Sequence, residues 1–229
     1  MGYIVLEGGA EFGGRMAEPD RRAIELAGGP SARISVVPAA AAPDHNHERA
    51  GGNGVRWFQS QGARSVAALP LIDRASADDP AVAGALRESR LIYLLGGFTH
   101  YLGQTLAGSA SWQAILDAYH AGAVVAGSSA GAMVLCEHYY DPQNGRVVAG
   151  LGLVPSTCVL PHHNTFGKGW APRLGALLPE SVLIGLDERT GMIDDGVDGA
   201  WRIYGQGDVT LYRRGQATTH RAGGEFGLE

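Results

Sequence analysis

The sequence predicts an α/β fold: a mostly parallel sheet with helices on both faces, finished by a small antiparallel C-terminal region. Three observations carry this. Short all-apolar runs recur between residues 3 and 126, segments of helix-forming residues separate them, and past about residue 147 the runs shorten and are split by Gly and Asp turns. Strands buried on both faces read as continuous apolar runs, and parallel pairing needs helical crossovers between them.

Residues 3–6 form the first predicted strand, ending at Glu7-Gly8-Gly9. Residues 19–27 open with Pro19 and stop at Gly28-Gly29, the punctuation of a helix, and residues 33–37 form a strand stopped by Pro38, which completes a β-α-β unit. Residues 39–53, rich in Ala, Pro, His, Asn and Gly, are expected to be the most mobile loop. The alternation continues with a helix at 55–61, a strand at 65–71, a helix at 80–88, a strand at 91–95 entering Gly96-Gly97, a helix at 112–120 and a strand at 123–126. Strands at 182–185, 200–204 and 208–212 finish what reads as one domain over residues 1–229, without internal repeats.

Composition bounds the function. With 229 residues, 45% hydrophobic, 18% charged and 7% aromatic, the chain is globular, neither disordered nor fibrous. Two cysteines, Cys136 and Cys158, give no disulfide framework and no C-x-x-C spacing, so a reducing cytoplasm is expected. The N-terminus lacks a basic, then apolar, leader pattern, and no apolar run approaches bilayer length, which disfavours secretion and membrane insertion. A net charge of −5, with Lys168 the sole lysine, argues against nucleic acid or anionic lipid as partner. His45 and His47, beside Asp44 and Glu48, read as solvated loop residues, and Gly8-Gly9 to Gly13-Gly14 lacks the spacing and lysine of a phosphate loop. Neither a metal nor an organic cofactor is expected.

The most informative stretch is residues 123–135, a buried-type strand, then Gly127-Ser128-Ser129-Ala130-Gly131, then a helix-compatible run. This G-x-S-x-G context is that of a nucleophile elbow, in which small residues allow a sharp turn that exposes the serine at a helix N-terminus. Ser129 is the candidate nucleophile, and the Ala130 amide faces a developing oxyanion. Gly96-Gly97 ends a neighbouring parallel strand, so the Gly97 amide is the second candidate for an oxyanion hole. A serine needs a base, usually a histidine oriented by a carboxylate. Of eight histidines, His45 and His47 in the loop, His100, His120 and His138 on or beside helices, and His220 in the tail read as solvated or structural. His162 and His163 follow the apolar pair Val159-Leu160, and either is a candidate base. Asp187 and Glu188, directly after a strand, are both candidate orienting acids.

Taken in order, Glu7-Gly8-Gly9-Ala10-Glu11, Gly96-Gly97 with Leu102 downstream, Ala126 to Ala132, Gly150-Leu151-Gly152-Leu153-Val154-Pro155 before His162, and Gly185-Leu186-Asp187-Glu188 span most of the chain. In these motifs the sequence resembles the serine peptidases that include aspartyl dipeptidase (peptidase E) and cyanophycinase, with a class I glutamine amidotransferase-like fold. The resemblance implies a Ser-His-Glu triad of Ser129, His162 and Glu188, an oxyanion hole from Gly97 and Ala130, short peptides as substrate and no cofactor. Serine where amidotransferases carry cysteine disfavours ammonia transfer from glutamine. Phe98 stands where relatives commonly have Asn or Asp, and Leu160-Pro161 replaces the polar pair that cyanophycinases carry before the histidine. Phe98, His163, Lys168 and Arg173 are the candidate substrate-binding residues, the last two as partners for a substrate carboxylate. Homodimers are common in such folds. Two other readings share parts of the pattern: an α/β-hydrolase esterase, whose histidine follows its acid and would here be His220, and a non-catalytic binding protein on the same fold.

Overall fold

Alternate residues of the first strand, β1 (Ile4–Glu7), serve two different cores in the computed structural model, which describes residues 1–228. Ile4 and Leu6 enter the larger apolar cluster and Val5 the smaller, as a strand covered on both faces requires. The same two-sidedness holds for β2 (Arg33–Val37), β4 (Leu91–Leu94) and β5 (Val124–Ser128), which with β1 and β3 (Ser65–Ala68) form a parallel array in the order β1-β5-β4-β2-β3. Beyond β1 the sheet is extended antiparallel by β10 (Thr190–Ile193), β11 (Trp201–Gly205) and β14 (Glu225–Phe226). On one face α1 (Ala17–Leu26) and α2 (His47–Ser60) contribute Ile24 and Phe58 to the smaller cluster. On the other, α3 (Arg74–Ala77), α4 (Pro80–Arg87), α5 (Thr99–Leu106) and α6 (Ala110–His120) bury Ala77, Leu86, Leu102 and Ile115. Local chemistry fixes several starts: Asp73 and Ser76 form a capping box on α3, Asp79 caps α4 ahead of Pro80, and Ser109 accepts from the Trp112 amide on α6.

From β5 the chain turns into α7 (Ala130–Leu135), buried at every residue, and crosses to a second sheet. That sheet runs β13 (Gln216–Arg221), β12 (Asp208–Arg213), β9 (Val182–Leu186), β8 (Val154–Leu160), β6 (Cys136–Asp141) and β7 (Arg146–Ala149), with β9, β8 and β6 parallel and the rest antiparallel. A short helix, α8 (Ala171–Leu177), connects β8 to β9, and the larger apolar cluster draws on both sheets.

The mixed region therefore starts at Cys136, earlier than residue 147, because α7 is apolar all round and its sequence runs into β6 without a change of pattern. His138 consequently lies on β6, three residues past the end of α7. Most of the segment expected to be a mobile loop is ordered: Ala39 and Ala40 are fully buried in a 3-10 turn, and α2 begins at His47. Gly51 and Gly54 explain both the structure and the misreading, since a side chain at either would strike Ala68 or Val36, and glycines mask helical periodicity. Cys136 and Cys158 are buried free thiols. Among the described residues no helix is long and apolar enough to cross a membrane.

Candidate active site

Strand register brings the candidate residues to one edge. Glu7 on β1 lies opposite Ser128 on β5, and Leu94 on β4 opposite Gly127, so the C-terminal ends of three parallel strands finish level. In the second sheet Leu160 on β8 lies opposite Gly185 on β9, so His162-His163 and Asp187-Glu188 emerge side by side. The loop after β1 joins the two sheets: the His162 amide donates to the Gly8 carbonyl at 2.7 Å, and the Arg189 amide to the Gly9 carbonyl at 3.0 Å.

Ser129 caps α7 with φ 49° and ψ −109°, a left-handed conformation that costs a non-glycine residue roughly 1–3 kcal/mol. The surroundings impose it. The Ser129 amide donates to the Glu7 carbonyl at 3.0 Å, and a Cβ at Gly127 would lie 2.4 Å from the Gly131 carbonyl carbon, one at Gly131 2.2 Å from the Leu94 carbonyl oxygen. The two glycines of G-x-S-x-G are therefore close-approach positions. Gly96 packs on the serine too, since a Cβ there would lie 3.2 Å from Ser129 Cβ, and Gly97 follows at φ 138°.

The Ser129 Oγ lies 3.0 Å from His162 Nε2, and His162 Nδ1 lies 2.8 Å from Glu188 Oε1. An ionised carboxylate can only accept, so Nδ1 carries a proton toward Glu188, and in the neutral imidazole Nε2 then has its lone pair toward the serine hydroxyl. His162 itself has φ 50° and Arg189, beside Glu188, φ 56°. Glu188 is held from its backbone side by Asn164, whose amide oxygen accepts from the Glu188 N–H at 3.0 Å. Gly9 makes room for the imidazole: at φ 106°, a Cβ there would lie 2.3 Å from His162 Cε1.

The other candidates part company. Phe98 lines both a cavity of about 600 Å³ that includes Gly97, His100 and Asp141 and one of about 310 Å³ that includes Glu11, Asn46 and Arg49. His163, expected at the substrate, is buried, with Nδ1 3.4 Å from Asp187 Oδ1 and Nε2 2.8 Å from the Tyr212 hydroxyl. Both ring nitrogens are thus engaged away from Ser129. Lys168 borders a different cavity, of about 510 Å³, between α8 and the β12–β13 turn. Arg173 donates to the Gly145 carbonyl of the β6–β7 hairpin and lies over the Tyr140 ring. His220 lies on β13, stacked on Phe226 with centroids 4.6 Å apart, away from the serine. Among the described residues no group of three or more His, Cys, Asp or Glu side chains is placed to share a metal ion.

Sequence reasoning missed several neighbours. Phe166, 54% exposed, stacks on the His162 ring with centroids 4.9 Å apart and planes 22° apart. Glu11, between Ala10 at φ 57° and Phe12 at φ 64°, accepts from the Ser128 hydroxyl at 3.0 Å. Behind the serine, Glu7 is buried and accepts a hydrogen bond from the Tyr93 hydroxyl. Burial, then the neighbouring Asp20, holds the Glu7 carboxyl well above its usual range. Asp20 is pushed up to about 7, chiefly by burial, although Trp57 Nε1–H donates to it at 2.7 Å.

The model of peptidase family S51 matches residues 4–193. The chain belongs to that family. It is a peptidase, a serine hydrolase by class. It is 29% identical over 221 residues to the cyanophycinase of Trichormus variabilis, covering 91% of this chain and 72% of that one. To the cyanophycinase of Geminocystis herdmanii it is 28% identical over 241 residues, covering 99% and 85%. A crystal structure of a peptidase from an acI-B1 Actinobacterium superposes with a TM-score of 0.87 at 30% identity, covering 99% of this chain and 96% of that one. A solved structure from Listeria monocytogenes EGD-e shares the fold at a TM-score of 0.61 and 18% identity, covering 96% and 98%.

Proposed function

We propose that this S51 peptidase hydrolyses short peptides through a Ser129–His162–Glu188 triad and an acyl-enzyme. The observation that carries this reading is the continuous line from Ser129 Oγ to His162 Nε2 at 3.0 Å and from His162 Nδ1 to Glu188 at 2.8 Å. In the proposed reaction Ser129 Oγ attacks the scissile carbonyl as His162 Nε2 takes its proton, and Glu188 stabilises the resulting imidazolium. The oxyanion faces the amides of Gly97 and Ala130, which donate to no other group among the described residues. Collapse breaks the C–N bond, and the amine leaves with the proton from His162. Water, activated by the same imidazole, then cleaves the acyl-Ser129 ester. The β5–Ser129–α7 turn acts as a nucleophile elbow.

Phe98 and the cavities on its two sides are the substrate-facing surface in this reading, and its apolar ring disfavours transfer of a relative's substrate preference to this chain. The larger apolar cluster, shared by both sheets, supports one domain as the working unit, and two buried free thiols fit a reducing compartment. The test is mass-spectrometric analysis of a short-peptide library, with Asp-X and β-aspartyl-arginine members, incubated with wild type and Ser129→Ala. Cleavage by wild type alone is expected and names the preferred residues. Equal cleavage by folded Ser129→Ala would overturn the proposal.

A further inference from the structure

His163 and Asp187 form a second histidine–acid pair, one residue away from each member of the first. The ring is 6% exposed, and a neutral imidazole is favoured because burial pushes its pKa down, against the pull of Asp187. With Nδ1–H directed at a carboxylate, Nε2 must accept, and the Tyr212 hydroxyl donates to it at 2.8 Å. Asp187 is held in turn: its Oδ2 accepts from the Asp208 amide at 3.0 Å, and its own amide donates to the Asp208 carbonyl at 3.2 Å. Two glycines leave the room this needs, since a Cβ at Gly185 would lie 2.4 Å from His163 Cδ2 and one at Gly207 2.6 Å from Asp187 Cβ.

These bonds span three strands, with Tyr212 opposite Leu183 on β9. His163 continues β8, Asp187 continues β9 and Tyr212 stands on β12, and the His163 amide also donates to the Leu186 carbonyl at 2.9 Å. The loop carrying His162 is thereby fastened to the loop carrying Glu188 by side chains that make no bond to Ser129, Tyr212 lining the separate cavity of about 510 Å³ that Lys168 borders. We propose that His163, Asp187 and Tyr212 are positioning residues, a clamp around the buried His163 ring that sets the distance between His162 and Glu188. The inference rests on the Ser129–His162–Glu188 reading. Its energetic logic is that a reacting group misplaced by about 1 Å loses on the order of 100-fold in rate, whereas substrate affinity is set elsewhere.

The experiment is measurement of kcat, KM and the rate of Ser129 labelling by a fluorophosphonate for wild type, Tyr212→Phe, His163→Phe and the double variant. His163→Phe is expected to lose about 10- to 100-fold in kcat and in labelling rate with KM within about twofold. Tyr212→Phe, which removes one oxygen and leaves Nε2 without its donor, is expected to lose several-fold, and the double variant no more than His163→Phe, because the two act through one network. Wild-type kcat in folded Tyr212→Phe or His163→Phe, a loss confined to KM, or losses that multiply in the double variant would each overturn the clamp. Should His163→Phe not fold, Tyr212→Phe decides alone. The two readings fail differently: turnover by Ser129→Ala contradicts the triad, whereas Ser129-dependent turnover with unaffected clamp variants contradicts only the clamp.

Discussion

His162 and His163 are adjacent in sequence, face adjacent carboxylates and leave the same strand, yet the structure gives them opposite surroundings. The His162–Glu188 pair is part-exposed, with side chains 20% and 31% accessible, and its free nitrogen meets a serine hydroxyl. The His163–Asp187 pair is 7% and 15% accessible, and its second nitrogen meets a tyrosine hydroxyl. A histidine–acid pair is thus not a chemical function by itself. In the proposed mechanism the third group and access for a reactant decide whether the imidazole moves a proton or holds a fold.

That contrast can be broken from either side. The largest effect is expected from Glu188→Gln, which removes the charge that fixes the His162 tautomer. A drop of about 10³- to 10⁴-fold in kcat, measured on the same peptide as wild type, would set Glu188 apart from Asp187. Gly9→Ala comes next. Its Cβ would lie 2.3 Å from the His162 ring, at a φ of 106° unfavourable to alanine, so the imidazole must shift, and a loss of about 100-fold in kcat is expected in steady-state assays. Phe166→Ala removes the ring stacked on His162 and is expected to cost only several-fold in kcat/KM, since this contact adds packing without a hydrogen bond.

A third acid pair sharpens the comparison, because it has no imidazole at all. Burial pushes the Asp20 carboxyl up to about 7 from an ordinary 3.8, and Glu7 is raised in the same direction. The folded protein therefore keeps a proton that the unfolded chain releases in that window, so stability falls as pH rises through it. Thermal melts from about pH 4 to 7 are expected to show a declining Tm in wild type and a flatter profile in Asp20→Asn, whose amide oxygen still accepts from Trp57.

Much of this was legible in the residues. The strands of the parallel array are buried on both faces, so Val, Ile and Leu announce them directly, and Ser129 stands out because strand, small-residue turn and helix follow one another. Other features need three dimensions. The glycines of α2 and the β-branched Thr99 with Gly103 of α5 weaken helical signals that tertiary packing restores. Local sequence could not separate His162 from His163, because both leave the same strand end and only the pairing of β8 with β9, and of β12 beside it, assigns each ring its partners. Lys168 and Arg173 looked alike as cations after the histidine, yet one borders a separate cavity and the other is tied to a hairpin.

The most direct test of the central claim is peptide hydrolysis by His162→Ala and His163→Phe side by side, at equal concentrations of protein shown folded by circular dichroism. His162→Ala is expected to lose on the order of 10³-fold or more in kcat, while His163→Phe retains a measurable fraction, about 1–10% of wild type. Near-wild-type turnover by His162→Ala, with activity abolished in His163→Phe, would contradict that claim.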